Sequence, residues 1–264
     1  MKHLDADRPS TAEGREYHLH TQAGDLAPLC LLVGDPDRAE MIASKLLKQA
    51  RKVGDHRGLK SFTGRNFDGN PVSVVTTGMG GASAGIVLPE AVRSGAKAFI
   101  RIGSCGALKP GVRPGELVIA TAAVRLDGAS ENWAPMPWPA AADWRVTAAL
   151  VEAAKTQDVR AYPGIGVTTS CFYEGQARPD LHGYLPKSAK TRHKELVKRG
   201  ALFYSMEEAA IFVWCSTHGG IPCGAVNAVF ANRASGEFAP SGEEAAAKVA
   251  LMACALLELS SLVP

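Results

Sequence analysis

Short apolar runs that stop at glycine clusters constrain this chain more than any other feature of it. Residues 29–33 (Leu-Cys-Leu-Leu-Val) stop at Gly34-Asp35-Pro36, residues 72–77 at Gly78-Met79-Gly80-Gly81, and residues 98–102 at Gly103-Ser104-Cys105-Gly106. Each run has strand length and lacks the alternation of a half-exposed strand, which is the pattern of strands buried on both faces. Stretches with helical period follow at residues 37–48 and 84–94, and the same reading predicts strands at 117–123, 164–169 and 223–231 and helices at 206–218 and 243–259. Strands alternating with helices predict an α/β fold, a single domain over residues 1–264 with a central mixed β-sheet flanked by helices. Residues 133–144, with their Trp and Pro, and the basic stretch 178–198 read as loops or insertions near a site. Within the second, residues 187–198 suit a solvated loop or helix.

Glycine fills 27 of 264 positions, against an average near ~7%, and each one costs conformational entropy on folding. The positions suggest a use. Ligands of open α/β sheets bind outside the carboxyl ends of the strands, where glycine lets backbone N–H groups approach an anion. Arg38 lies four residues after Gly34 and Arg101 two before Gly103, so two strand ends offer guanidinium groups for a phosphate. Either feature alone suits an ordinary turn equally well. A dinucleotide fingerprint fails in detail: Gly78-Met79-Gly80-Gly81-Ala82-Ser83 has Ser83 at its sixth position and no acidic residue at the expected spacing, and no Walker loop is present.

Composition excludes several classes. With 29 Lys and Arg against 26 Asp and Glu, the net charge of +3 lacks the clustered excess of a polyanion binder, so no nucleic-acid partner is expected. A chain that is 46% hydrophobic and 21% charged can bury a core. The longest apolar run, residues 249–257, is far short of the ~18 residues of a membrane span, and the first ten residues have no secretory apolar core. A cytoplasmic protein with no membrane partner is expected. The six cysteines, at 30, 105, 171, 215, 223 and 254, form no CxxC pair. They read as small hydrophobes, with no structural zinc and no metal site.

Three blocks in order, Gly34-Asp35-Pro36-Asp37-Arg38, Thr77-Gly78-Met79-Gly80-Gly81-Ala82-Ser83 and Arg101-Ile102-Gly103-Ser104-Cys105-Gly106, together with Tyr204-Ser205-Met206-Glu207-Glu208, resemble the nucleoside phosphorylase I family. The likeness runs from about Tyr17 to the C-terminal helix. Val124-Arg125-Leu126-Asp127-Gly128-Ala129-Ser130 and Phe172-Tyr173-Glu174-Gly175-Gln176-Ala177-Arg178 are similar to segments of its uridine-cleaving members, the second being a uracil-binding segment that purine-specific members lack. The resemblance implies a nucleoside phosphorylase-like fold and the reversible phosphorolysis of uridine to uracil and ribose 1-phosphate. Inorganic phosphate would be co-substrate and no cofactor would be needed. It also implies a phosphate site of Gly34, Arg38, Arg101 and Ser104, with Arg57 donated by a neighbouring subunit. Phe172, Gln176, Arg178 and Arg233 would hold the base. Met206 and Glu207 would hold the ribose, and His18 would reach the 5′-hydroxyl across a dimer interface. A homodimer would be the minimal active unit, with dimer against hexamer left open.

The chemistry fits the residue types. Uracil presents two carbonyl acceptors and one N–H donor on its edge; an amide such as Gln176 offers a donor and an acceptor, and a guanidinium such as Arg178 donors only. Arg101, Gln176 and Arg178 would therefore be catalytic through position and charge, and replacing Arg101 with Ala is expected to abolish turnover with the fold intact. Two departures stand out. The family usually has Glu-Met-Glu where this chain has Ser205-Met206-Glu207, and Gly58 follows Arg57 where some members carry a Glu that helps hold a monovalent cation, which puts that cation in doubt. The alternatives are a purine nucleoside phosphorylase or nucleoside hydrolase of the same fold, or a nucleoside-binding protein without turnover.

Overall fold

The computed structural model describes residues 5–257. Its framework is the set of apolar runs. Strands β1 (Leu29–Val33), β4 (Pro71–Thr76) and β5 (Ala98–Ala107) lie side by side, β1 parallel to both neighbours. Two further strands, β2 (Lys48–His56) and β3 (Leu59–Arg65), extend the sheet antiparallel beyond β4. On the other side β6 (Leu117–Leu126), β7 (Ala161–Thr169), β8 (Phe203–Ser205) and β9 (Cys223–Asn232) complete a nine-stranded mixed sheet of order β2-β3-β4-β1-β5-β8-β7-β6-β9. Because β9 also pairs with β5, that half of the sheet curls closed on itself.

Helices cover both faces. On one, α2 (Gly81–Arg93) and α5 (Glu208–Thr217) pack with Phe99, Val118 and Phe203; on the other, α1 (Pro36–Lys45), α3 (Trp144–Thr156) and α6 (Glu243–Leu256) pack with Ile100, Ile102 and Val226. Alternation along β5 divides the two: Phe99 faces one layer, Ile100 the other. Each large aliphatic or aromatic side chain buried here contributes about 1.5–3 kcal/mol. α5 is buried nearly all round, which fits a helix wedged against the closed half of the sheet. The fold class expected from the sequence is the one observed.

Several boundaries differ from expectation. α1 stops at Lys45, capped at its start by the Asp35 carboxylate and Pro36, and Lys48, expected to be helical, begins β2. β2 and α4 (Lys187–Lys198) carry few buried residues, so neither shows an apolar period in the sequence. Of the two readings of residues 187–198, solvated loop or helix, the helix is the one observed. α3 does carry a period, burying Val146, Ala149, Leu150 and Ala153 behind an Asp143 N-cap.

The largest correction concerns glycine. β5 does not stop at Gly103 but runs on through Ser104, Cys105 and Gly106 to Ala107. Gly103 serves a neighbour: a Cβ there would lie 1.6 Å from Arg101 Nη1 and 2.2 Å from Asn227 Oδ1. Residues 101 and 103 share one face of the strand, and the guanidinium folds back over the missing side chain. Gly78 and Gly80, by contrast, do end a strand, at φ +71° and +89° where glycine is favoured.

Candidate active site

One cavity of about 440 Å³ opens where β1, β5 and β9 end and α1, α5 and α6 begin. It is lined by Gly34, Arg38, Arg101, Ser104, Phe172, Gln176, Arg178, Met206 and Glu207. Nine residues from four separated sequence blocks thus share one wall, in the size range of small-molecule sites.

At one end the guanidinium groups are paired with acids. Arg38, buried in the first turn of α1, donates Nε and Nη2 to Glu243 Oε1 at 2.9 and 2.5 Å and Nη1 to the Ile102 carbonyl at 3.1 Å. Arg101 donates Nη1 to Asn227 Oδ1 at 2.5 Å and to Glu208 Oε1 at 3.1 Å, and Nη2 to Glu207 Oε2. Burial pulls the Arg101 proton affinity down, but Glu207 and Glu208 outweigh it and hold the group above the ordinary arginine range. Glu207 also accepts the Gly80 N–H at 2.7 Å, which ties the start of α2 to the start of α5. Both carboxylates sit at the N-terminus of α5, where the helix dipole favours negative charge. Removing Arg101 would leave two buried carboxylates without a cation, so Arg101→Ala is expected to cost stability as well as turnover.

At the other end no acid takes part. Gln176, buried on the single turn Glu174–Gln176, donates Nε2 to Thr169 Oγ1 at 3.2 Å and accepts Arg178 Nη1 on Oε1 at 2.6 Å. Arg178 also donates to the Phe172 carbonyl at 2.7 Å, and its guanidinium lies 3.8 Å from the Phe172 ring centroid. Arg233 donates to the Gln176 and Ala177 carbonyls at 2.9 and 3.2 Å. Burial, aided by Arg233, pulls Arg178 down to about 10, and burial lowers Arg233 too. Gly106 belongs to this end, since a Cβ there would meet Arg233 Cγ at 3.4 Å.

Arg57 and His18 do not line this cavity. Arg57 sits at positive φ in the two-residue turn joining β2 to β3, with Gly58 beside it, as a hairpin of that length requires. Its guanidinium lies 5.5 Å from the Tyr17 ring centroid, and that ring stands edge-on to His18 at 5.1 Å. The carboxylate of Glu90 accepts the His18 ring Nδ1 at 2.6 Å and the Leu19 N–H at 2.8 Å. Two expected site residues thus meet the same ring, Tyr17, and neither lines the cavity.

Sequence reasoning gave no role to Glu208, Asn227 or Glu243. Asn227 had a signal, an amide in the middle of the apolar run of β9. The others gained meaning only from their neighbours in space. Five cysteines are buried; Cys105 lines the cavity, where burial raises its thiol pKa well above the ordinary value, and Cys171 is exposed. No group of three or more His, Cys, Asp or Glu that could hold a metal occurs among the described residues, and no helix there is long and apolar enough to cross a membrane. The segment at 124–130 is structural here: buried Arg125 donates to the carbonyls of Ser130, Ala134, Pro135 and Trp138, and fixes the loop over α2.

Residues 28–258 match the phosphorylase superfamily. The chain is 43% identical over 256 residues to a uridine phosphorylase of Thermococcus kodakarensis, covering 97% of this chain and 91% of that protein. It is 38% identical over 230 residues to a uridine phosphorylase of Escherichia coli, covering 86% and 89%. A guanosine phosphorylase of Halorubrum lacusprofundi matches over a shorter stretch, 32% identical across 60% of this chain and 65% of that one. Sequence, sheet and cavity agree that the chain belongs to the phosphorylase superfamily.

Proposed function

We propose that this chain is a uridine phosphorylase, converting uridine and inorganic phosphate reversibly to uracil and ribose 1-phosphate without a further cofactor. The observation that carries the reading is the single cavity that joins Gly34, Arg38, Arg101 and Ser104 at one end to Phe172, Gln176 and Arg178 at the other. The relatives named uridine phosphorylase, matched over most of the chain, support it.

In this reading phosphate lies between the β1 and β5 ends, held by the Gly34 backbone, Arg38, Arg101 and the Ser104 hydroxyl. Ribose spans the middle, its hydroxyls on Glu207 and its face on Met206. Uracil lies at the acid-free end. Arg178 has only donors, so the Gln176 atom it meets is the amide oxygen, and the second lone pair of that oxygen is left for the uracil N–H. The Gln176 amide N–H and Arg178 then donate to the two uracil carbonyls. As the C1′–N1 bond breaks, the bonding pair goes to the base and positive charge builds on the sugar. Hydrogen phosphate attacks C1′ and forms the new C–O bond, and the proton it gives up is balanced by the proton the uracil anion takes up. Donors fixed beforehand at the base oxygens stabilise the negative charge, each worth about 2.7–4 kcal/mol in comparable sites. The Cys105 thiol has no part in this scheme. Arg57 and His18 act from a second copy of the chain, which makes a homodimer the smallest active unit, and the whole chain works as one cytoplasmic domain.

Absorbance assays of uridine, thymidine and inosine with and without phosphate test the reading. Uracil release that requires phosphate, with inosine inert, is expected. Release without phosphate, or cleavage of inosine at a rate equal to that of uridine, overturns it.

A further inference from the structure

Arg101 divides its two terminal nitrogens between two acids of unlike position. Nη2 meets Glu207, which lines the cavity; Nη1 meets Glu208, which is wholly buried and outside the cavity wall. The second oxygen of Glu208 accepts the hydroxyl of Ser205, the residue standing where the family usually carries an acid. The acid absent at position 205 is thus present three residues later, at the first residue of α5, in contact with Ser205 and on the guanidinium that Glu207 also meets.

We propose that Glu208 is a positioning residue: it is the anion that stays on Arg101 while Glu207 exchanges Arg101 for the ribose hydroxyls. The inference rests on the reading above, in which Glu207 takes the ribose and Arg101 the phosphate. A buried guanidinium stripped of its last anion is strongly disfavoured. Were Glu207 the only counter-ion, it could not turn to the sugar without leaving Arg101 uncompensated until phosphate arrived. Glu208, locked by the Ser205 hydroxyl and never facing substrate, removes that conflict. It also sets the orientation of Arg101, because Nη1 is pinned by Glu208 and Asn227 together and Nη2 is turned toward the cavity.

Glu208→Gln keeps the shape and removes the charge, and a structural role and the proposed one then diverge. With Glu207 as sole anion on Arg101, uridine competes harder for it, and KM for uridine is expected to rise about 10-fold, the size of one charge-assisted hydrogen bond. The phosphate end has lost a negative charge, so KM for phosphate, and the Kd of inorganic phosphate alone by calorimetry, are expected to fall. Ser205→Ala should give the same opposed shifts at about 2–3-fold, as one neutral hydrogen bond would. Glu208→Ser combined with Ser205→Glu should bring the uridine KM back toward the original value relative to Glu208→Ser alone. Equal rises in both KM values, or no change in either, overturn the proposal. If Glu208→Gln does not fold, Ser205→Ala decides, and an unchanged ratio of the two KM values is the adverse result. Absence of phosphate-dependent uridine cleavage in the unaltered chain is a different failure, and it overturns the parent reading and this one together.

Discussion

At one end of the cavity Arg38 and Arg101 meet three carboxylates, Glu207, Glu208 and Glu243, whereas at the other Arg178 and Arg233 meet carbonyl and amide oxygens and no acid among the described residues. Arg101 is fully buried and Arg178 half-buried, and burial disfavours the charge of both, yet their proton affinities move in opposite directions: Arg101 upward, because Glu207 and Glu208 outweigh burial, and Arg178 downward. The difference matches the two tasks in the proposed reaction. A group that must release charge onto its oxygens as a bond breaks gains most from cations that nothing else neutralises. A dianion that must be held and then transferred meets cations already balanced by acids, and two guanidinium charges against three carboxylates leave that end negative. An additional cation at the phosphate end is what the proposal assigns to Arg57 of a second copy.

Replacing Arg101 with Ala is the most severe way to break the comparison. Phosphorolysis is expected to fall by about 10³-fold or more, with the melting temperature lowered because Glu207 and Glu208 lose their cation. Retained uridine cleavage at saturating phosphate would remove Arg101 from the reaction. The same variant tests the outside cation. Co-refolding it with an Arg57→Ala chain creates mixed dimers in which one site has both arginines, provided Arg57 acts across the interface. Partial recovery of activity from two inactive parents is expected, and no recovery places Arg57 elsewhere.

At the base end, Arg178→Ala should cost about 10²-fold to 10³-fold in kcat, the range for one oxyanion donor, with a small change in stability because no acid is left behind. A melting temperature that drops as far as in Arg101→Ala would erase the contrast between the ends. Gly103→Ala sharpens it from the backbone side. A methyl group 1.6 Å from Arg101 Nη1 forces the guanidinium aside, so KM for phosphate should rise about 10-fold or more while KM for uridine moves less. An alanine tolerated there, with both KM values intact, would mean that the fold-back of Arg101 over residue 103 is not needed.

Much of the fold was legible because burial leaves a mark on composition. Runs such as Leu29–Val33 and Cys223–Asn232 are apolar on both faces, and no other placement suits them. β2 and α4 left no such mark, since their side chains remain mostly in water. The cavity residues were legible mainly through resemblance in their blocks, and the structure brings nine of them to one wall. Arg57 and His18 are the exception, and one chain alone gives no geometric reason for their place in the site.

The sequence by itself determined the α/β class, the glycine clusters in or after its apolar strands, and the supply of arginine, amide and acid beside them. It determined these because hydrophobic period and residue chemistry are local properties, read within one turn or one strand. Only the tertiary structure decided that Gly103 sits inside a strand to receive Arg101, that Glu208 and Asn227 share that guanidinium, and that Arg178 and Arg233 go without an acid. The contacts of Arg101 with Glu208 and Asn227 and of Arg233 with Gln176 join atoms more than fifty residues apart in the chain, and contact at that range is set by the packing of helices on the sheet, which no local pattern encodes.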